Sequence, residues 1–202
     1  MQTLYTHRPN DMLENRMPYQ IHQILKKICL FILLCCFSEV YAAPTDMGNG
    51  TTSNKDEEVK RTVLGIMSYT RWVPPPTPIN LCIVTPTKHS SLLEKLDASE
   101  TMNKIVVSKQ NYDANTLASQ CDAIYFGDIS PNDQQKVIAA RQSKPILIIS
   151  ENNPNCEVGS SFCLNLETSP ITFTVNLDSL TRSGVRVDPN VLLLGRKKKA
   201  AQ

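Results

Sequence analysis

Apolar positions recur along this chain with two different periods. Val59, Val63, Ile66, Met67 and Thr70 follow one another at steps of three and four, the spacing that aligns side chains on one face of an α-helix. Asn54 stands as N-cap of that helix, with Asp56, Glu57 and Glu58 in a first turn where the dipole favours acids. Pro74-Pro75-Pro76 cannot continue it, so the helix is predicted to end near Trp72. Beyond the prolines, residues 79–85, 104–108, 123–127 and 145–150 read as strands. Helices are predicted between them over 90–96, 113–119 and 131–141. The strands I-N-L-C-I-V-T, A-I-Y-F-G and I-L-I-I-S are apolar almost throughout, as expected where both faces of a sheet are covered. Residues 162–167 and 171–176 flank Thr168-Ser169-Pro170 and predict a hairpin. Short helices follow over 177–182 and from Pro189 to about Lys197, the second with Asp188 as N-cap and Pro189 at its first position. The predicted fold is α/β: a layered sandwich with a mixed, largely parallel sheet flanked by helices.

The segment before this pattern has another character. Lys26-Lys27 precede an apolar run from Ile28 to Phe37, and Val40-Tyr41-Ala42 places small residues at the −3 and −1 positions of a cut. This is the three-part pattern of a secretory signal peptide over residues 1–42, with Met17 as an alternative start. About ten apolar residues are too few to span a bilayer, which needs roughly twenty. Residues 43–54 are polar and Gly-rich and predict a disordered mature N-terminus. Residues 55–199 remain for a single domain.

Charge and candidate chemistry narrow the function. Of 21 basic and 19 acidic residues, four and three lie in the leader, leaving seventeen against sixteen, or +1. Arg196-Lys197-Lys198-Lys199 holds four of those positive charges, so the body carries about −3. That balance argues against a nucleic-acid-binding face. His89 is the single histidine after the leader and reads as a surface residue, so histidine metal sites and Ser-His-Asp machinery lack parts. No Gly-rich phosphate loop occurs and no carboxylate pair stands out. An enzyme, a metal site and a bound cofactor are not expected.

Four cysteines remain after cleavage: Cys82, Cys121, Cys156 and Cys163. In an exported domain this even count predicts two disulfides, with three connectivities open. The seven-position span around Gly159 makes Cys156–Cys163 easy to close, and Cys82 can meet Cys121 if their strands are neighbours, so this pairing is favoured. Structural staples are the plainer role; a thiol oxidoreductase would need an exposed, acidic thiol, and no C-x-x-C motif supports one. Arg71, Trp72, Arg182 and Arg186 are candidate binding residues, because an arginine beside an aromatic face suits an anionic or aromatic ligand or a partner's side chain. Val191, Leu192, Leu193 and Leu194 sweep most of a helix circumference, so one face cannot bury all four. Two are expected to pack on the sheet and the others to meet a dimer or protein partner, with the basic residues near an acidic membrane surface or acidic patch.

Six segments in order carry a resemblance: S-Y-T-R-W from Ser68, I-N-L-C-I-V from Ile79, C-D-A-I-Y-F-G from Cys121, C-E-V-G-S-S-F-C from Cys156, F-T-V-N-L-D-S-L-T-R-S-G-V from Phe173 and V-L-L-L-G-R-K-K from Val191. In these the chain resembles the YfiR family of periplasmic repressors, over nearly the whole mature domain. The resemblance implies a periplasmic negative regulator that binds the periplasmic part of a membrane-bound diguanylate cyclase and lowers cyclic di-GMP synthesis and biofilm formation. It further implies an OmpA-like outer-membrane lipoprotein that sequesters the regulator, a homodimer, and two disulfides at the four cysteine positions. A small-ligand pocket at Arg71, Arg182 and Arg186 is also implied, with Asp188 where a relative has histidine. The competing reading is a periplasmic small-ligand receptor for an anionic aromatic metabolite.

Overall fold

The computed structural model describes Lys26 and residues 48–101 and 104–195. The rest of the signal peptide, residues 43–47 and the basic run at 196–199 lie outside the described residues. The first helix, α1, spans Gly48–Ser68. It begins six residues before Asn54, so Asn54 lies inside the helix and is not its cap, and residues 48–54 are helical. Nucleation is the costly step of helix formation, whereas extension upstream of a packed segment costs only the propensity of each added residue, about 1 kcal/mol for a glycine. The packed segment is the predicted stripe: Val59, Val63, Ile66, Met67 and Thr70 are all buried. The helix also stops earlier than expected. Thr70–Arg71 forms a two-residue strand, β1, paired antiparallel with β8, Arg186–Val187.

The main sheet has six strands in the order β3-β2-β4-β5-β6-β7. They are β2 Ile79–Val84, β3 Ile105–Gln110, β4 Ala123–Phe126, β5 Leu147–Ser150, β6 Phe162–Asn165 and β7 Thr172–Val175. The first five run parallel, and β7 returns antiparallel beside β6. Between them lie α2 Ser91–Glu94, α3 Ala114–Gln120 and α4 Pro131–Ala140, with α5 Leu177–Ser183 after the hairpin. The chain moves outward from β2 to β3, then back past β2 through β4, β5 and β6, which places connections on both faces of the sheet.

This topology explains the continuous apolar strands. Leu81, Ile83, Ala123, Tyr125, Leu147 and Ile149 point to the α1 side, where they pack with Val59, Val63, Ile66 and Met67. Cys82, Val84, Ile124, Phe126 and Ile148 point to the opposite side and meet Leu117 and Ala118 of α3 and Val137 and Ile138 of α4. Each strand thus feeds two cores by simple alternation. The connecting helices start where local chemistry dictates. Asp113 accepts from the Thr116 backbone N–H at 2.7 Å, Ser130 from Asp133 at 3.1 Å, and Asn176 from Ser179 at 2.8 Å. Such caps satisfy N–H groups that the helix itself leaves without partners.

Both disulfides form as the favoured pairing has them, Cys82–Cys121 and Cys156–Cys163, each with Cα atoms 5.8 Å apart. The first lies in the α3/α4 core and ties the middle of β2 to the residue at the end of α3. The second closes the loop that enters β6. The final element differs from the predicted α-helix: Pro189–Leu193 is a 3-10 turn, capped by Asp188, which accepts from the Asn190 N–H at 2.8 Å.

Candidate functional site

Trp72 leaves the sheet edge just after β1 and turns inward. Its indole is 6% exposed, and Nε1 donates to the Asp122 carbonyl at 2.9 Å. Asp122 is a junction at this end of the sheet. Its carboxylate accepts from the Asn80 backbone N–H at 2.9 Å and pairs with Lys144 at 3.3 Å, while its carbonyl also accepts from Leu147 N–H at 3.0 Å. The Trp72 ring therefore rests on a fixed support. In front of it opens a cleft of about 550 Å³, walled by Arg71, Pro75, Pro76 and Lys104.

Arg71 is exposed, and its Nη1 donates to the carbonyls of Ser68 at 2.8 Å and Thr70 at 2.9 Å. In the β1–β8 ladder the inward pair is Thr70 with Val187 and the outward pair is Arg71 with Arg186. Like charges placed directly opposite on one face of a ladder repel. An anion lying between or beside them removes that repulsion, and guanidinium groups are suited to holding one in two-point fashion. Cation, aromatic ring and open cleft thus come together at Arg71, Trp72 and Lys104, with Arg186 across the ladder. Arg182 is placed elsewhere. It forms an ion pair with Asp178 on its own helix, α5, and lines a separate shallow depression with Arg141 and Gln142. Lys104 and Asp122 were not among the sequence candidates; a charged residue directly after Cys121 and before an apolar strand was the available signal for the second.

A second polar cluster lies near the carboxyl ends of the central strands. His89 is only partly exposed, and its Nδ1 lies 2.9 Å from the Asp56 carboxylate, so it is not the simple surface residue expected. Asp56 is buried and also accepts from the Ser91 hydroxyl. Glu151, buried at the end of β5, accepts from the Lys88 backbone N–H and from the Tyr125 hydroxyl at 2.8 Å. Burial first, and then the neighbouring Glu151 charge, push the Tyr125 phenol well above its ordinary range, so it stays a neutral donor. On the far side of α1, Lys55 Nζ donates to the carbonyl of Leu166 at 2.7 Å and Glu58 accepts from Ile171 N–H at 3.0 Å. These contacts pin α1 across the sheet to the 87–91 loop on one side and the β6–β7 turn on the other. Every carboxylate oxygen in them is used in holding the fold, and among the described residues no group of three or more histidine, cysteine or acidic side chains could hold a metal ion.

The C-terminal turn lies against the same helix. Val191 is buried at 3% exposure, whereas Leu192, Leu193 and Leu194 are 51%, 53% and 39% exposed. A 3-10 turn has three residues per turn, which stacks positions i and i+3. Val191 and Leu194 therefore share the inward side, and Leu194 lies over Gly65, within 2.8 Å of where a β-carbon there would stand. Leu192 and Leu193 face away.

In comparison with known families, a family model described as YfiR/HmsC-like matches residues 57–196. The chain belongs to the YfiR/HmsC-like family. The matched span holds both disulfides, the six-stranded sheet, the Trp72 cleft and the C-terminal turn, so the resemblance read from the six sequence segments holds across the domain. The YfiR-like family consists of periplasmic regulators rather than enzymes. Among the described residues no helix is long and apolar enough to cross a membrane.

Proposed function

We propose that this protein is a periplasmic negative regulator that binds the periplasmic part of an inner-membrane diguanylate cyclase and so lowers cyclic di-GMP synthesis and biofilm formation. The observation that carries the reading is the YfiR/HmsC-like match over residues 57–196. In this reading an OmpA-like outer-membrane lipoprotein sequesters the regulator, and the regulator itself is a homodimer. The physics required is differential affinity: the regulator must bind the inactive state of the cyclase more tightly, each 1.4 kcal/mol of difference shifting the population about tenfold. Deleting the gene in a strain that encodes a membrane diguanylate cyclase beside it should raise cyclic di-GMP severalfold and increase matrix production. Nucleotide levels that stay at the parental value would sink the proposal.

The facing Arg71 and Arg186 beside Trp72 favour a second reading, a receptor for an anionic aromatic metabolite, and it is compatible with the first if the ligand tunes repression. Calorimetric titration with small aromatic carboxylates and phosphates should find a binder that Arg71→Ala weakens at least tenfold, the loss of one charge-assisted contact. Arg182→Ala, in its separate depression, should bind as the parent does. Equal effects of the two substitutions would remove this cleft as the site.

A further inference from the structure

Lys104 lines the Trp72 cleft in a backbone conformation that is unfavourable for a lysine. Its φ is +47°, in the left-handed region that glycine enters without strain and most other residues enter at a cost. The hydrogen bonds around it fix that conformation. Its N–H donates to the Thr101 carbonyl at 3.2 Å, its carbonyl accepts from the Ile79 N–H at 3.3 Å, and the following Ile105 N–H donates to the Thr101 hydroxyl at 3.0 Å. Glycine would meet the same bonds with less strain, so what lysine adds here is its ammonium group. That group is exposed, and among the described residues it has no hydrogen-bond or ion-pair partner. We propose that Lys104 is a specificity residue of the cleft, and that the ligand is a planar molecule with two acidic groups, one held by Arg71 and the other by Lys104. The proposal rests on the receptor reading of the cleft and goes beyond it in naming the charge of the ligand and a second residue that reads it.

The groups that line the cleft decide its chemistry. The Trp72 N–H is taken by the Asp122 carbonyl, so the indole offers the cleft only its apolar surface. Pro75 and Pro76 have no N–H, and Ile79 gives its own to Lys104. These walls suit a flat apolar body, and about 550 Å³ is room for a small organic ligand. Charge recognition falls to two cations. Nη1 of Arg71 donates to the Ser68 and Thr70 carbonyls, which leaves Nε and Nη2 as a side-by-side pair that fits a carboxylate or phosphate. Lys104 supplies a point charge on a flexible stem. Among the described residues no acidic side chain lines the cleft, and the Asp122 carboxylate behind Trp72 is already engaged by Asn80 and Lys144. A monoanion therefore leaves one cation uncompensated, whereas a dianion satisfies both. Each charge-assisted contact of this kind is worth about tenfold or more in affinity.

Calorimetric titration at low salt with phthalate, isophthalate and terephthalate, each against its own monomethyl ester, compares one charge with two on the same ring at each spacing. The parent should bind at least one diacid about tenfold or more tightly than its ester. In Lys104→Gly that preference should shrink to within about twofold, with the ester bound as before. The melting temperature of this variant should hold or rise by a few degrees as the left-handed strain is relieved. Lys104→Asn, which also tolerates this conformation, should behave in the same way, and Lys104→Arg should keep the preference. A lysine that only shapes the turn would move the melting temperature and leave the preference intact. Equal binding of diacid and ester by the parent overturns the proposal, and so does a Lys104→Gly protein that still prefers the diacid. In both cases a loss of binding of both compounds in Arg71→Ala leaves the receptor reading standing. If none of these compounds binds the parent, the receptor reading and the role of Lys104 fall together. A Lys104→Gly protein that melts several degrees below the parent would make the side chain a support of the fold, against the proposal.

Discussion

Replacing Cys82 and Cys121 together by alanine should lower the melting temperature by about 10 °C or more. The bond closes a stretch with a sequence separation of 39. For a loop of that length the chain-entropy model gives roughly 4 kcal/mol, and in a domain of about 150 residues each kcal/mol moves the midpoint by about 2–4 °C. Both sulfurs are also buried in the α3/α4 core, so their removal costs packing as well. Against a typical net stability of about 5–15 kcal/mol this is a large fraction. Removing Cys156 and Cys163 should cost less, roughly 2.5 kcal/mol, because their separation is only seven. Thermal melts of the two double variants, each with and without reductant, check the ranking. A Cys82/Cys121 variant that melts within about 3 °C of the parent would mean that the disulfide adds little to stability.

Gly127→Ala should be nearly as damaging, for a reason of space alone. A β-carbon at this position would stand 1.8 Å from the carbonyl oxygen of Pro86 and 2.6 Å from its carbon. Those are backbone atoms, and the neighbouring Asp128 N–H donates to that same carbonyl at 2.8 Å. The loop after β2 must therefore move away, and with it the Lys88 N–H that binds Glu151. Overpacking of this kind costs about 3 kcal/mol or more, or near 10 °C in the melting temperature. Gly65→Ala is the matched control. Its new β-carbon meets only the end of the Leu194 side chain, which can turn aside, and the change should stay within about 1 kcal/mol of the parent. Equal melting temperatures for the two variants would show that the loop after β2 yields freely.

Much of the architecture was legible in the sequence, and the reasons are local. The strands around Leu81, Ile124 and Ile148 announce themselves because both of their faces are covered, so no polar residue interrupts them. Asp113, Pro131 and Asp188 mark helix starts through chemistry that acts over two or three residues. The β6–β7 hairpin was visible in its central Thr168-Ser169-Pro170. What escaped depends on partners far apart in the chain. Strands β1 and β8 are two residues long, too short for any period, and exist only because Thr70 and Arg71 meet Val187 and Arg186. The pairing of His89 with Asp56 spans 33 positions, and nothing near either residue signals it. The same limit applies at the cleft: Arg71 and Trp72 were found as neighbours in sequence, but the placement of Lys104 beside them, and of Arg182 away from them, is a product of the fold.

Trp72 is the chain's only tryptophan, and it sits between the cleft and the Asp122 junction with its N–H already engaged. Excited at the red edge of its band, where the six tyrosines do not absorb, its fluorescence comes from a single known place, with no second indole to average against. A molecule entering the cleft changes the polarity around that one ring, and a loss of structure at the start of β4 frees the same indole to water. The protein thus contains its own optical probe, able to follow ligand occupancy and unfolding without a dye or a label.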